Sequence, residues 1–401
     1  MGLPVFMVRR YQSRYGLLAT MAEELAEVLE RAGCEINPSE AFGQRPGVMV
    51  YLNHLTDPQW IEAACAGGGA IAVVQLFVDH PLALSEDLTD RLAEQPHFRL
   101  ALSTLDGLSL AAARWPSLQI GVVHHGVSEQ AVCEENSVSA NRAKDVVASG
   151  WIHTEEELDA LTDVLDLEER RLVRDVAASM IEQGELDFEQ ALQRCSGGAF
   201  CTPDRWRSIA GVWRAVIARV NRTRRVAAVQ AMQGLRLEVF GPEAWERYCT
   251  GTIRYGGEAR YEQMPAIYRS AKTAIAWGPT QFARGYSERQ LLAMAGGCAS
   301  VSDDRELLRR HFVCDGEKKG SQEIAVYPAG SPEHGAEQIA AWLRDRDKAI
   351  AVGHAGREAV MNGHLWSHRA KAVLELGADG IHSAIRAAEL SQEGMMSRNR
   401  V

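Results

Sequence analysis

Tyr261-Glu262-Gln263-Met264-Pro265-Ala266-Ile267-Tyr268-Arg269-Ser270-Ala271-Lys272 leads through Trp277-Gly278-Pro279 into Gly285-Tyr286-Ser287-Glu288-Arg289-Gln290-Leu291-Leu292-Ala293-Met294-Ala295-Gly296-Gly297-Cys298. Ser287 with Gln290 three residues on is a capping-box pattern, so a helix is expected to begin at Ser287. Gly296-Gly297 ends that helix and turns it into a strand over 298–302. With another strand over 273–277, the stretch reads strand, loop, helix, strand, the repeating unit of a parallel α/β layer. A helix N-terminus attracts anions, Gly285 would let a diphosphate approach the backbone, and Arg284 and Arg289 could supply counter-charge. The same residues also fit an ordinary helix of an α/β layer.

Upstream, strands are expected over 3–8, 47–52, 71–78, 98–102 and 118–123, with helices over 17–32 and 58–66. In the first helix Leu18, Met21, Leu25, Val28 and Leu29 recur at helical spacing before Gly33. The near-continuous apolar run 71–78 suits a parallel strand covered on both faces. A polar stretch around 124–143 reads as a link. Strands follow at 145–148, 235–240, 253–255, 273–277, 298–302 and 323–327, and the first two are separated by a long helical stretch, 155–232. The expected architecture is therefore α/β, two Rossmann-like domains facing a cleft, with a helical insertion in the second. The divisions are 1–140, 141–360 with the insertion at 155–232, and 361–401 for C-terminal helices and a fraying tail.

Composition narrows the function. Of 401 residues, 46% are hydrophobic and 24% charged, as in ordinary globular proteins, and the formal charge of −10 gives no global reason to sit on nucleic acid or an anionic membrane. No apolar run reaches the ~20 residues that span a bilayer, and residues 1–4 lack a secretory layout, so a cytoplasmic location without membrane insertion is expected. Eight cysteines occur without a C-x-x-C pair, which favours buried apolar roles. Cys195 and Cys201 flank Gly197-Gly198, and a bridge or metal site there is the weaker alternative. No G-x-G-x-x-G follows the first strand, and no P-loop, H-E-x-x-H or G-x-S-x-G pattern occurs.

Several motifs in order carry a resemblance: Val239-Phe240-Gly241, Tyr268-Arg269-Ser270-Ala271-Lys272, Gly285-Tyr286-Ser287-Glu288-Arg289, Ala293-Met294-Ala295-Gly296-Gly297, Val301-Ser302-Asp303 and His364-Leu365-Trp366-Ser367-His368-Arg369-Ala370. Together they resemble the donor-binding domain of GT-B glycosyltransferases, closest to the spore-maturation-protein-like (CgeB-like) branch. Phe77-Val78-Asp79-His80-Pro81 and Val123-His124-His125-Gly126-Val127 resemble segments of that branch's N-terminal half. The resemblance implies a glycosyltransferase that moves a sugar from a nucleotide-diphosphate donor to an unidentified acceptor, without a metal or other cofactor. The acceptor is a protein, a glycan or a small molecule. It also implies a donor site drawing on Gly241, Tyr255, Lys272, Arg284, Gly285, Ser287, Glu288 and Arg289. This chain departs from the family at two places: Leu292 stands where a glutamate grips the ribose, and Arg284 where an earlier acid faces the sugar. Glu288 lies one helical turn before Leu292 and is the candidate substitute.

Asp79 and His80, at the carboxyl end of an expected strand, are the candidate acid/base groups for an acceptor hydroxyl. The competing reading has Asp79 capping the turn before Pro81 and His80 in solvent. Asn53-His54 ends another strand. His124-His125 reads as linker packing, because adjacent side chains on an extended chain face opposite ways. His364 and His368 are i, i+4, but no third ligand accompanies them, so no metal site is expected. Tyr255 could stack on a base. The departures at Arg284 and Leu292 keep two rivals open: a non-catalytic binding or scaffold protein of the same fold, and a nucleotide-sugar hydrolase or epimerase.

Overall fold

The computed structural model describes every residue except 1–2, 9–10, 12, 38–44, 56, 59, 63–70, 85, 139–140, 185–186, 198–202, 316–321 and 399–401. The chain divides into two units, Met1–His124 with Trp366–Val401, and His125–Leu365. Each is a six-stranded parallel sheet with helices.

The first unit contains β1 (Pro4–Met7), α1 (Leu17–Arg31), β2 (Glu35–Ile36), β3 (Gly47–Leu52), β4 (Ile71–Phe77), α2 (Glu86–Ala93), β5 (Phe98–Leu102), α3 (Leu108–Arg114) and β6 (Gln119–Val122), in the sheet order β2-β1-β3-β4-β5-β6. Every residue of β3, β4 and β5 is buried, as their largely apolar runs require when both faces are covered; Gln75 in β4 and Arg99 in β5 are the polar exceptions. One cover is α1, through Met21, Leu25, Val28 and Leu29. It ends as expected at Gly33, whose φ is +90°. Beside it lies the C-terminal helix Trp366–Arg398, whose Trp366 Nε1 donates to Glu24 Oε2 of α1 (2.9 Å). That helix lies close because Gly377 and Gly380 have no side chain: a Cβ on either would come within 2.6 Å of Val48 or 2.7 Å of Ala72. Arg99 of β5 ties it down, donating to the Asp379 carbonyl (3.0 Å) and to Ser383 Oγ (2.6 Å). Pro58, Trp60, Ile61 and Glu62 have helical backbone, whereas the rest of the helix expected over 58–66, with Cys65 and Gly67 to Gly69, lies outside the described residues.

The second unit begins with the segment read as a link. Its Glu134, Glu135, Asn136 and Ser137 are exposed, but Val127, Ala131, Cys133 and Val138 are buried, and the Cys133 amide donates to the Ala295 carbonyl (2.9 Å). The polar residues are thus the outer face of a packed segment. Then come β7 (Lys144–Ser149), α4 (Glu155–Asp163), α5 (Leu167–Glu182), α6 (Phe188–Ser196), α7 (Trp206–Ala231), β8 (Leu237–Phe240), β9 (Arg254–Gly257), α8 (Met264–Arg269), β10 (Ala271–Ile275), α9 (Glu288–Ala295), β11 (Ala299–Asp303), α10 (Glu306–His311), β12 (Ala325–Tyr327), α11 (Pro332–Arg344) and α12 (Arg346–Gly363). The sheet order is β12-β11-β10-β7-β8-β9. Trp245, Trp277 and Trp342 fill its core with Val146, Ala148, Val239, Ile275 and Val301. From β7 the chain steps outward through β8 and β9, then returns to the other side of β7 with β10. That reversal makes the carboxyl ends of β7 and β10 the topological switch point, where open α/β sheets take their ligands.

Candidate functional site

Two glycines shape the ends of β7 and β8. Gly241 has φ +154°, and a Cβ there would stand 2.3 Å from the Gly150 carbonyl oxygen. Trp245 Nε1 donates to that same oxygen (2.8 Å). Gly150 itself lies against Trp277, whose Nε1 a Cβ would meet at 2.5 Å. Any larger residue at either position would force the two turns apart. Beside them Ser149 Oγ and the buried Tyr268 hydroxyl are 2.9 Å apart, and burial pushes the Tyr268 phenol up to about 12.

The loop from β10 to α9 is held by a buried ion pair. Arg305, paired with Asp303, donates to the Gly278 (3.0 Å), Pro279 (2.9 Å) and Phe282 carbonyls, and Asp303 Oδ1 accepts from the Gly278 amide (2.8 Å). From α7, Asn221 Oδ1 accepts from the Thr280 amide (2.8 Å). The loop therefore delivers α9 in a fixed place.

α9 starts as its sequence demands. Ser287 caps it, and Gln290 Oε1 accepts from both the Ser287 amide and the Ser287 hydroxyl (3.0 Å each). Gln290 Nε2 in turn donates to Ser302 Oγ of β11 (3.2 Å). The capping box thus uses the Ser287 amide, while Ser287 Oγ accepts from Arg289 N–H at 3.3 Å. What this end of the helix offers an anion is then its dipole and the Arg289 side chain more than those amides. Arg289 Nη1 is buried without a partner, and its Nη2 is 3.8 Å from Glu288 Oε1. The Glu288 carboxylate is nearly buried and also stands 4.0 Å from His125 Nδ1.

The remaining expected residues fall in different places. Gly285 is buried just ahead of the cap. Arg284 is 47% exposed and pairs at 3.6 Å with Asp187, the N-cap of α6, so it reaches toward the helical segment. Tyr255 donates its hydroxyl to the Gly241 carbonyl (3.0 Å) and so buttresses that turn; partial burial and the carboxylates of Glu258, Glu246 and Glu243 raise its pKa. Lys272 is not brought to the others. It sits at the amino-terminal end of β10 in an ion pair with Asp145 (2.7 Å). Although burial opposes it, hydrogen bonds from Lys272 and Arg236 hold the Asp145 carboxyl below its usual range.

In the first unit, β4 is followed by Asp79 and His80. Asp79 Oδ1 accepts from the His80 amide (2.8 Å), and His80 Nδ1 accepts from the Leu82 amide (3.2 Å). His80 is 3% exposed rather than in solvent, and burial lowers its pKa to about 3. Cys201 lies outside the described residues, and Cys195 is a free thiol. His364 Nδ1 faces the Tyr286 hydroxyl (3.1 Å), which also meets His311 Nδ1 (3.0 Å). Among the described residues no group of three or more His, Cys, Asp or Glu is placed to hold a metal ion, and no helix is long and apolar enough to cross a membrane.

The sequence reading missed Arg225, Arg305 and the Ser149–Tyr268 pair. Asp303 and Tyr268 stood inside quoted motifs, but nothing local marks an arginine on α7 as a neighbour of α9.

No curated protein matches the chain. Among solved structures, HepE of Anabaena in complex with UDP-glucose has a TM-score of 0.49 at 8% identity, over 93% of this chain and 98% of that one. A DNA-modifying β-glucosyltransferase gives 0.48 at 10%, over 94% and 100%. TarM gives 0.47 at 10%, over 82% of this chain, which spans only 54% of TarM. All three scores are below 0.5. The family whose model this chain matches is the one described as glycosyl transferase-like, over residues 222–375, a segment that takes in Gly241, Tyr255 and the whole of α9.

Proposed function

We propose that the second unit binds a nucleotide-diphosphate sugar at the carboxyl ends of β7 and β10, and that the protein transfers the sugar to an acceptor. The observation that carries this reading is Arg289: a guanidinium in the first turn of α9, with a buried donor lacking any partner, set at the switch point of a parallel sheet. A diphosphate would satisfy that donor and complement the helix dipole. The glycosyl transferase-like match over the same residues supports the reading. Charge on the leaving diphosphate is then met by arginine and the helix end, which is the basis for proposing metal-independent transfer. The motif order favours the CgeB-like branch.

Gly241, Gly285 and Ser287 serve in this proposal by shaping the site, Glu288 by facing ligand hydroxyls, Tyr255 by backing the β8 turn, and Arg284 from the rim. Lys272 acts only by tying together the amino-terminal ends of the central strands β7 and β10. For the first unit the proposal assigns Asp79 as the base toward an acceptor hydroxyl and His80 as its support, since the buried imidazole stays neutral and its Nδ1 is engaged.

Calorimetric titration with uridine and guanosine diphosphates and their sugars tests the site. Binding is expected for at least one, and Arg289→Ala should weaken it by about tenfold or more, given ~1.5–3 kcal/mol for a charge-assisted bond, with little change in melting temperature. Absence of binding at millimolar ligand would refute the proposal. One observation favours a second reading, a non-catalytic binder: Leu292, at the family's ribose position, is 2% exposed and part of the core. Nucleotide binding without turnover of any donor would select it.

A further inference from the structure

Arg225 has no task in the reading above. It lies on α7, the last helix of the long segment between β7 and β8, and is 5% exposed. Its Nη1 donates to the Trp151 carbonyl, just beyond the end of β7, while its Nε is buried with no partner. A guanidinium stays charged under ordinary conditions, and burying one without a carboxylate is costly. Yet no ion pair forms to Arg225 among the described residues. The nearby carboxylates are already taken: Asp303 is paired with Arg305, and Glu288 stands between Arg289 and His125. Burial and the like charges of Arg289 and Arg305 all act against the charged form of Arg225, with Asp303 and Glu288 opposing them. Arg225 thus adds buried, unpaired positive charge to a group in which Arg224, Arg289 and Arg305 outnumber Asp303 and Glu288, and Arg289 there has an unused donor.

We propose that Arg225 is a specificity-determining, positioning residue of the anion site, whose surplus charge makes the site select a diphosphate over a monophosphate. The inference rests on the nucleotide reading and extends it. Buried, Arg225 acts through its field rather than by contact, and in a low-dielectric setting that field reaches the ligand with little screening. The same charge that is unfavourable in the empty protein becomes favourable when an additional phosphate arrives. The helices between β7 and β8 are on this view part of the site.

The test uses the full chain with uridine diphosphate and uridine monophosphate as probes, in wild type, Arg225→Met and Arg225→Lys. Arg225→Met is expected to weaken diphosphate binding about tenfold while leaving the monophosphate within about threefold, the size of effect that charge pairing has at desolvated sites. The ligand-free melting temperature of Arg225→Met should stay level or rise, since an unpaired buried charge has been removed, and Arg225→Lys should lose the preference as pH rises, because an ammonium in the same burial gives up its proton more readily than a guanidinium. Equal losses for both nucleotides together with a lower melting temperature would overturn the proposal in favour of a structural role. An unchanged diphosphate-to-monophosphate ratio would overturn it too. If the wild type binds neither probe nor any other nucleotide, the donor-site reading itself fails. If it binds both and the ratio does not move, only the role of Arg225 fails.

Discussion

Two ionisable side chains of the first unit, the half-buried Glu24 and the buried His80, show how single residues set pH behaviour. Glu24 on α1 accepts from Trp366 Nε1 (2.9 Å); burial, with Glu27 adding, raises its pKa from 4.5 to about 7 against the lowering effect of that bond. His80 is shifted the other way, to about 3. A raised carboxyl means the folded chain holds a proton the unfolded chain has released, so the contribution of Glu24 is full below about 4.5 and is lost as pH rises toward 7. His80 contributes fully above about 6.5, and its contribution is lost on acidification toward 3. Glu24→Gln keeps an acceptor for Trp366 and cannot ionise. Thermal melts should therefore find it close to wild type at pH 4.5 and more stable at pH 8, by on the order of 1–3 kcal/mol. The same difference at both pH values would count against a titrating Glu24.

Elements with a strong local signature were readable, and those without one were not. Ser287 and Gln290 announced α9 because capping chemistry is local, and β3, β4 and β5 announced themselves because strands covered on both faces are almost wholly apolar. The two-residue strand β2 carries too little pattern to read, and α2, α3, α8 and α10 are too short for a helical period to establish itself. The residues of the proposed site that sit on α9 and at the end of β8 were legible because they follow one another along the chain. Lys272 was misgrouped with it because a position in a motif does not say which end of a strand it occupies. Arg225 and Arg305 stayed hidden because their contacts join segments far apart in sequence. Ser287→Ala tests the α9 start: it removes the cap oxygen and leaves the buried Gln290 side chain short of a donor. A loss of ~1–2 kcal/mol is expected by denaturant titration. Nucleotide affinity should fall with it, since Arg289 depends on that first turn, and a drop in stability alone would separate the two roles.

The first unit is discontinuous in the chain. Its sheet is covered on one side by a helix, Trp366–Arg398, that the chain supplies only after completing His125–Leu365. Ending the chain after Leu365 would leave β3, β4 and β5 without that cover and Arg99 without its carbonyl partner on Asp379. The truncated protein should expose apolar surface and lose the melting transition of the first unit, while the second retains its own, as scanning calorimetry with a hydrophobic dye would show. Two unchanged transitions would mean that the helix contributes nothing essential. During synthesis the same arrangement imposes a schedule: the half that leaves the ribosome first is the last to close, and it stays open to chaperones and proteases until residues near Gly377 and Gly380 emerge.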